Sequence, residues 1–333
     1  AVSSFLPVEL VHQAQFCLTQ DHVLCPIYLR QAASVHRESR PGKPQTFLEF
    51  FGLSEEPFSI VPQPHFLSES ERQQEALSGL RWLIDQRQGL GLLFGAVGSG
   101  KTLLCHTLLN RLSIDPRYIT ALLLTPNHRS EYALMVDILA AWKAKVQWQK
   151  SLQDLETAAH QFLAQAALQR GQTPVLIIDE AQGLPRSHLL ELCKILNWQD
   201  GGVQLAQVIL AGQPGLHAAL SRVPALRDRA VMEFNLGPMT RQDVERLISE
   251  RVRRAGGRSD LFSSSAVSLI FQQSGGMPRR VTILCLLSLW LAFPMATVAP
   301  DSPPCQRGGF SIEELIELEP FEVDHALALA RVV

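Results

Sequence analysis

The chain has 333 residues, 46% of them hydrophobic and 19% charged, with a net charge of −2. That much apolar residue supports two or three compact units and excludes bulk disorder, while the near-neutral charge gives no global field for nucleic acid. Six cysteines without a repeated spacing argue for reduced thiols in a cytoplasmic protein rather than a disulfide framework.

Taken in chain order, residues 1–30 read as an N-terminal extension carrying His12, Cys17, His22 and Cys25. Their gaps match no standard zinc spacing, so an inert extension is preferred to a metal site or a Cys17–Cys25 disulfide. Residues 31–46 are polar, contain Pro41 and Pro44, and read as a linker. An irregular lead-in from Thr46 to Leu67 mixes aromatics with prolines. Ser68 as cap, with Glu71 three residues on, then predicts a helix to about Gln86.

From there short apolar runs alternate with helical patterns. Strands are predicted at Leu90–Phe94, Thr120–Thr125, Val175–Asp179, Gln207–Ala211 and Val231–Asn235, each buried on both faces. Helices are predicted between them at Thr102–Leu112, Ser130–Trp142, Leu152–Arg170, Arg186–Asn197 and Leu216–Leu220. This is an α/β pattern: a five-stranded parallel sheet flanked by helices. After Gly237-Pro238 only helices follow, at Thr240–Ala255, Ser264–Gln273 and Arg279–Phe293. The expected divisions are an α/β domain over 47–237, a helical domain over 238–297, and a linker and tail over 298–333. Val281–Pro300 is twenty residues without a charge, so a membrane span and a buried lid helix both fit its length. Thr282, Ser288, Pro294 and Thr297 dilute it, and the buried helix is preferred.

Two motifs carry chemistry. Gly95-Ala96-Val97-Gly98-Ser99-Gly100-Lys101-Thr102 fits G-x-x-x-x-G-K-[ST] between a predicted strand and helix. That turn collects backbone N–H groups and a helix N-terminus around an anion, as a phosphate requires. Lys101 would reach the β- and γ-phosphates of ATP, and the Thr102 hydroxyl would sit on Mg²⁺. The second motif is Val175-Leu176-Ile177-Ile178-Asp179-Glu180, four apolar residues with two acids at the strand's carboxyl end, where open α/β sheets bind ligands. Asp179 is expected to hold Mg²⁺ from a neighbouring strand tip, and Glu180 to orient or deprotonate the attacking water.

Asp179-Glu180-Ala181-Gln182 also spells the DEAQ box of a helicase, but the motifs of a second motor domain are absent. A transporter ATPase would carry its LSGGQ-like signature before the acidic strand, and Ser274-Gly275-Gly276 comes after it. The remaining reading is an AAA+ module. Phe51-Gly52-Leu53 with Glu56-Pro57-Phe58, Gly98–Thr102, Ile177–Gln182, Ala211-Gly212-Gln213-Pro214, Leu236-Gly237-Pro238 and Gly275–Arg279 occur in that order. Together they resemble the AAA+ domain of the secretion pathway A (ExeA-type) family, within the ORC/DEAH-like AAA+ group, over about residues 47–293. The likeness to transposition ATPases of the MuB/TnsC kind is looser.

The resemblance implies further roles. Gln213 corresponds to sensor 1, and a lone amide at a strand's carboxyl edge suits that role. Arg227 and Arg229 lie where such proteins keep an arginine finger for the neighbouring subunit, with Arg229 slightly preferred and surface arginines the alternative. Arg279 resembles sensor 2, reaching from the helical lid to the nucleotide. The implied protein is a homo-oligomeric ATPase that remodels or assembles a partner of secretion or transposition machinery; the alternative is an ATP-gated DNA-binding adaptor. Two basic clusters bear on DNA: Arg246, Arg251, Arg253, Arg254 and Arg258, and Trp142, Lys143, Lys145, Trp148 and Lys150. A solvated helix face and core-edge anchors are the preferred readings of the two.

Overall fold

The computed structural model describes residues 46–59, 70–124, 128–144 and 151–298. The linker, the His12–Cys25 extension, the predicted cap Ser68 and the stretch Lys145–Lys150 lie outside these. The chain divides into two compact units. The described parts of Ile60–Leu247 with Ser274–Val281 form one, and those of Ala1–Ser59, Ile248–Gln273 and Thr282–Val333 form the other.

The larger unit is built on five parallel strands: β1 (Leu90–Gly95), β2 (Tyr118–Leu123), β3 (Thr173–Ile178), β6 (Gln207–Gly212) and β7 (Ala230–Leu236). A small antiparallel hairpin, β4 (Gln199–Asp200) and β5 (Val203–Gln204), stands apart from that sheet and was not expected. The sheet order is β2-β3-β6-β1-β7. Asp179 therefore does not follow a strand adjacent to β1, as expected, because β6 lies between β1 and β3. The late strand β6 takes the central place and sends its tip between the two motifs.

Side-chain alternation sorts the core into two layers. On one face Leu90, Leu92, Phe94, Leu176, Ile178, Val208 and Leu210 pack under α4 (Glu131–Ala141), α5 (Leu152–Ala164), α6 (Arg186–Asn197), α7 (Gly215–Ser221) and α8 (Pro224–Arg227). On the other, Leu93, Val175, Ile177, Ile209 and Ala211 pack against α2 (Glu71–Asp85) and α3 (Lys101–Ser113). The three central strands are buried throughout. The expectation of full burial fails for β2 and β7, which are edge strands; β7 alternates, exposing Val231, Glu233 and Asn235.

Local signals set the helix ends. Helix α2 is capped by Ser70, not Ser68: the Ser70 hydroxyl accepts from Gln73 N, and the Gln73 amide oxygen accepts from Ser70 N. This reciprocal pair satisfies two N–H groups at once. Ser130 and Ser151 cap α4 and α5 through their hydroxyls alone, which accept from Ala133 N and Asp154 N. The long helix expected to run to Arg170 leaves α-winding after Ala164, and Gln165–Gln169 form a π turn.

The helical unit contains α1 (Phe47–Phe51), most of α10 (Ser264–Ser274), and the C-terminal parts of α9 (Arg241–Arg254) and α11 (Pro278–Val298). Phe47 stacks on Trp290 at 4.9 Å, Phe58 meets Phe262 edge-on at 5.6 Å, and Ser54 N and Oγ both donate to Ala255 O. The arginines of α9 face several ways. Arg251 is half-buried, reaches Pro57 O at 3.5 Å, and burial depresses its guanidinium pKa. Arg254 approaches Glu250 at 3.6 Å, and Arg258 pairs with Asp260. Helix α11 runs past Pro294 to Val298, beyond the expected end at Phe293; a proline there removes a single backbone donor. No described helix is long and apolar enough to cross a membrane.

Candidate nucleotide site

The site is assembled at the carboxyl edge of the sheet, where β1, β3 and β6 all point. Strand β1 ends at Gly95, and the chain turns through Ala96–Gly100 into α3. Gly98 and Gly100 take φ of 80° and 96°, left-handed values that cost an L-residue about 1–2 kcal/mol. Gly100 caps α3 with no side-chain bond, so the first helical N–H groups keep no capping acceptor. A Cβ at Gly98 would fall 3.0 Å from Cβ of Arg279, whose backbone N–H donates to Gly98 O at 3.3 Å. The start of α11 thus rests on the loop.

Lys101 is 4% exposed. Its ammonium donates to Gly95 O at 2.9 Å and Ala96 O at 3.1 Å, folding the side chain back along the loop. The Thr102 hydroxyl donates to Oδ2 of Asp179 at 2.5 Å. Asp179 is 1% exposed, and its Oδ1 accepts the N–H of Glu180 at 2.9 Å. Beneath the loop, burial foremost and then the charge of Asp179 push the Cys105 thiol pKa far up, so it stays protonated.

Glu180 sits at φ 52°, a left-handed value rare for a residue with a side chain. Its Oε2 accepts from Nε2 of Gln213 at 3.0 Å and also from Nε2 of Gln182. Gln182 Oε1 accepts from the backbone N–H of Gln213 at 3.0 Å. The tips of β3 and β6 are thereby tied together. Gln182 is not among the site residues expected from the sequence, where it is visible only as the last residue of the Ile177–Gln182 motif and of the DEAQ string.

Lys101, Thr102, Asp179, Glu180 and Gln213 are thus brought together, with Arg279 against the loop. Arg227 and Arg229 fall on the connection from β6 to β7. Arg227 Nη2 pairs with Glu233 at 3.1 Å, and its Nη1 lies 3.2 Å from Nδ1 of His217, which stacks on Phe94 at 3.7 Å. Arg229 is exposed, and no side-chain bond of it is found among the described residues.

The groups fit a nucleoside triphosphate with a divalent cation. Uncapped helical N–H groups and the Ser99 hydroxyl, buried without a partner among the described residues, suit anionic oxygens. The Thr102 hydroxyl and Asp179 carboxylate are hard oxygen ligands of the type Mg²⁺ takes.

Comparison with known proteins agrees with this geometry. Residues 84–220 match the AAA domain family. Over 250 residues the chain is 34% identical to General secretion pathway protein A of Aeromonas hydrophila, covering 74% of this chain and 45% of that protein. Residues 84–220 are an AAA domain on a five-stranded parallel sheet flanked by helices. The fold is similar to that of the ORC2 protein of Aeropyrum pernix in its ADPNP–ADP complexes, with TM-score 0.56, 15% identity, and 79% and 74% of the two chains covered. Cdc6p from Pyrobaculum aerophilum gives a TM-score of 0.56 at 15% identity, again over 79% and 74% of the two chains. At that identity the likeness is one of fold. The chain spans less than half the length of the secretion relative.

Proposed function

We propose that this AAA+ chain is a Mg²⁺-dependent ATP hydrolase that works as a cytoplasmic homo-oligomer and remodels or assembles a protein partner. The observation that carries the reading is the Thr102–Asp179 hydrogen bond at 2.5 Å, which sets a hydroxyl and a carboxylate side by side next to an anion-binding turn. When bound, Mg²⁺ supplies charge neutralisation at the β- and γ-phosphate oxygens. Backbone N–H groups of Gly95–Thr102 hold the phosphates. Lys101 exchanges the carbonyls of Gly95 and Ala96 for phosphate oxygens, and Arg279, at the start of α11 against the loop, adds charge. Glu180 takes the proton of the attacking water, and Gln213 reads the γ-phosphate.

Arg229 is the better arginine finger. It is exposed, whereas Arg227 is already bound to Glu233 and His217. A finger that serves a neighbouring subunit makes assembly a condition of fast turnover. The likeness to a secretion pathway A protein favours a partner in secretion machinery. The competing reading, an ATP-gated DNA adaptor, requires salt-sensitive retention on duplex DNA with ATP and not ADP.

The test measures phosphate release and particle size together, in ATP, ADP and no nucleotide, with Mg²⁺ or EDTA, and with or without duplex DNA. Mg²⁺-dependent turnover with a larger particle in ATP is expected. Material indifferent to ATP and Mg²⁺ would end this reading.

A further inference from the structure

Three hydrogen bonds at the tip of β3 have an unusual arrangement. Two side-chain amides, from Gln182 and Gln213, converge on the same oxygen of Glu180, and Gln182 also accepts the backbone N–H of Gln213. The last bond fixes which end of the Gln182 amide is which. A backbone N–H can only donate, so Oε1 must face Gln213 and Nε2 must face the carboxylate. The seat is cut to size. A Cβ on Gly212 would lie 2.7 Å from Gln182 Oε1, so the small residue at the end of β6 leaves room for the amide. Glu180 itself stands at φ 52°, and its neighbours must hold it there.

We infer that Gln182 is a positioning residue for the Glu180 carboxylate, an inference that rests on the hydrolase reading. Gln213 cannot serve Glu180 and a γ-phosphate with the same N–H at once. When its amide turns to phosphate, Gln182 remains as the group that grips Oε2. No described bond reaches the other oxygen, Oε1, which stays open for water. Gln182 thus keeps the base aimed while Gln213 changes partner, and through the Gln213 N–H it links the two strand tips.

The experiment compares the full-length protein with Gln182→Ala, Gln182→Glu, Glu180→Gln and the double variant Glu180→Gln/Gln182→Ala. It reads kcat, the Kd for ATP, and the melting temperature of each. The expected result is a fall in kcat of roughly tenfold or more in Gln182→Ala, a part of the 10²–10⁴ that a positioned base supplies, at unchanged ATP Kd. Gln182→Glu has the same shape and keeps the acceptor for Gln213 N, but loses the donor to Glu180. It should be at least as slow as Gln182→Ala, whereas a space-filling role would leave it near wild type. In the Glu180→Gln background, loss of Gln182 should cost nothing further, since residues acting as one unit are not additive.

Wild-type kcat in both single Gln182 variants, alongside a Glu180→Gln protein that has lost turnover, would overturn this inference alone. Full additivity in the double variant would do the same. Absence of turnover in the wild type, or its persistence in Glu180→Gln, would instead remove the hydrolase reading and this inference with it.

Discussion

The hydroxyl of Thr102, in the first turn of α3, donates to Oδ2 of Asp179 at the tip of β3 across 2.5 Å, although β6 separates the strands that lead to the two residues. The bond spans the sheet's carboxyl edge and joins the phosphate loop to the acidic strand. It also supplies a donor to a carboxylate that is almost wholly buried.

Replacing Thr102 by Val keeps the shape and removes the donor. A hydrogen bond to a charged group contributes about 1.5–3 kcal/mol, and a buried carboxylate left short of it costs stability of that order. Urea unfolding should show this loss without nucleotide, and Mg²⁺-dependent turnover should disappear. Unchanged Mg²⁺ dependence would show that the hydroxyl holds no metal.

Glu180→Gln should lower turnover by a factor of about 100 or more, since a positioned base contributes 10²–10⁴. ATP binding should persist, so the protein should retain ATP and enlarge. Light scattering behind a sizing column, with nucleotide retention counted on the eluted peak, checks both. Unchanged size and retention would remove Glu180 from the role of base.

The two arginines before β7 should behave differently. Arg229→Ala should depress turnover by roughly 10³-fold, the lower end for an arginine finger, at nearly unchanged ATP affinity. Arg227→Ala breaks a half-exposed pair with Glu233, worth up to about 1 kcal/mol, and should act mainly on stability. Mixing Arg229→Ala with Glu180→Gln subunits should restore part of the turnover, because each supplies what the other lacks. A large loss of ATP affinity in Arg229→Ala would contradict the finger role.

His188 gives a pH dependence. It is 2% exposed, its Nδ1 has no partner among the described residues, and burial foremost, with nearby His128, pushes its pKa below 6.5 against the pull of Glu131. Below 6.5 the unfolded chain binds a proton that the native protein refuses, down to the depressed native value. Stability from this residue is therefore full above 6.5 and falls as the pH drops through that window. Urea midpoints from pH 7.5 downward should fall, and His188→Gln should flatten the curve. An equally steep curve in the variant would assign the dependence to other groups.

Short-range chemistry was legible in the linear chain. A glycine turn followed by Lys101-Thr102, and four apolar residues followed by Asp179-Glu180, announce strand, turn and helix because the residues that make them are consecutive. The same local logic yielded the five strands of the sheet and the starts of α4, α5 and α9. It misplaced the start of α2 by choosing Ser68 over Ser70, since both carry a hydroxyl and only the reach of Gln73 decides between them.

Strand neighbours were not legible, because sheet order is set by crossovers that leave no mark in the order of residues. Only the tertiary structure put β6 between β1 and β3, and only that placement lets the amides of Gln182 and Gln213 meet the Glu180 carboxylate. The same holds for Arg227, whose partners Glu233 and His217 come from β7 and α7. What this sequence determined by itself is the chemistry that adjacent residues can carry. What folding decided is which distant groups share one charge, because hydrogen bonds and Coulomb forces act across a few ångströms of space, whatever the separation along the chain.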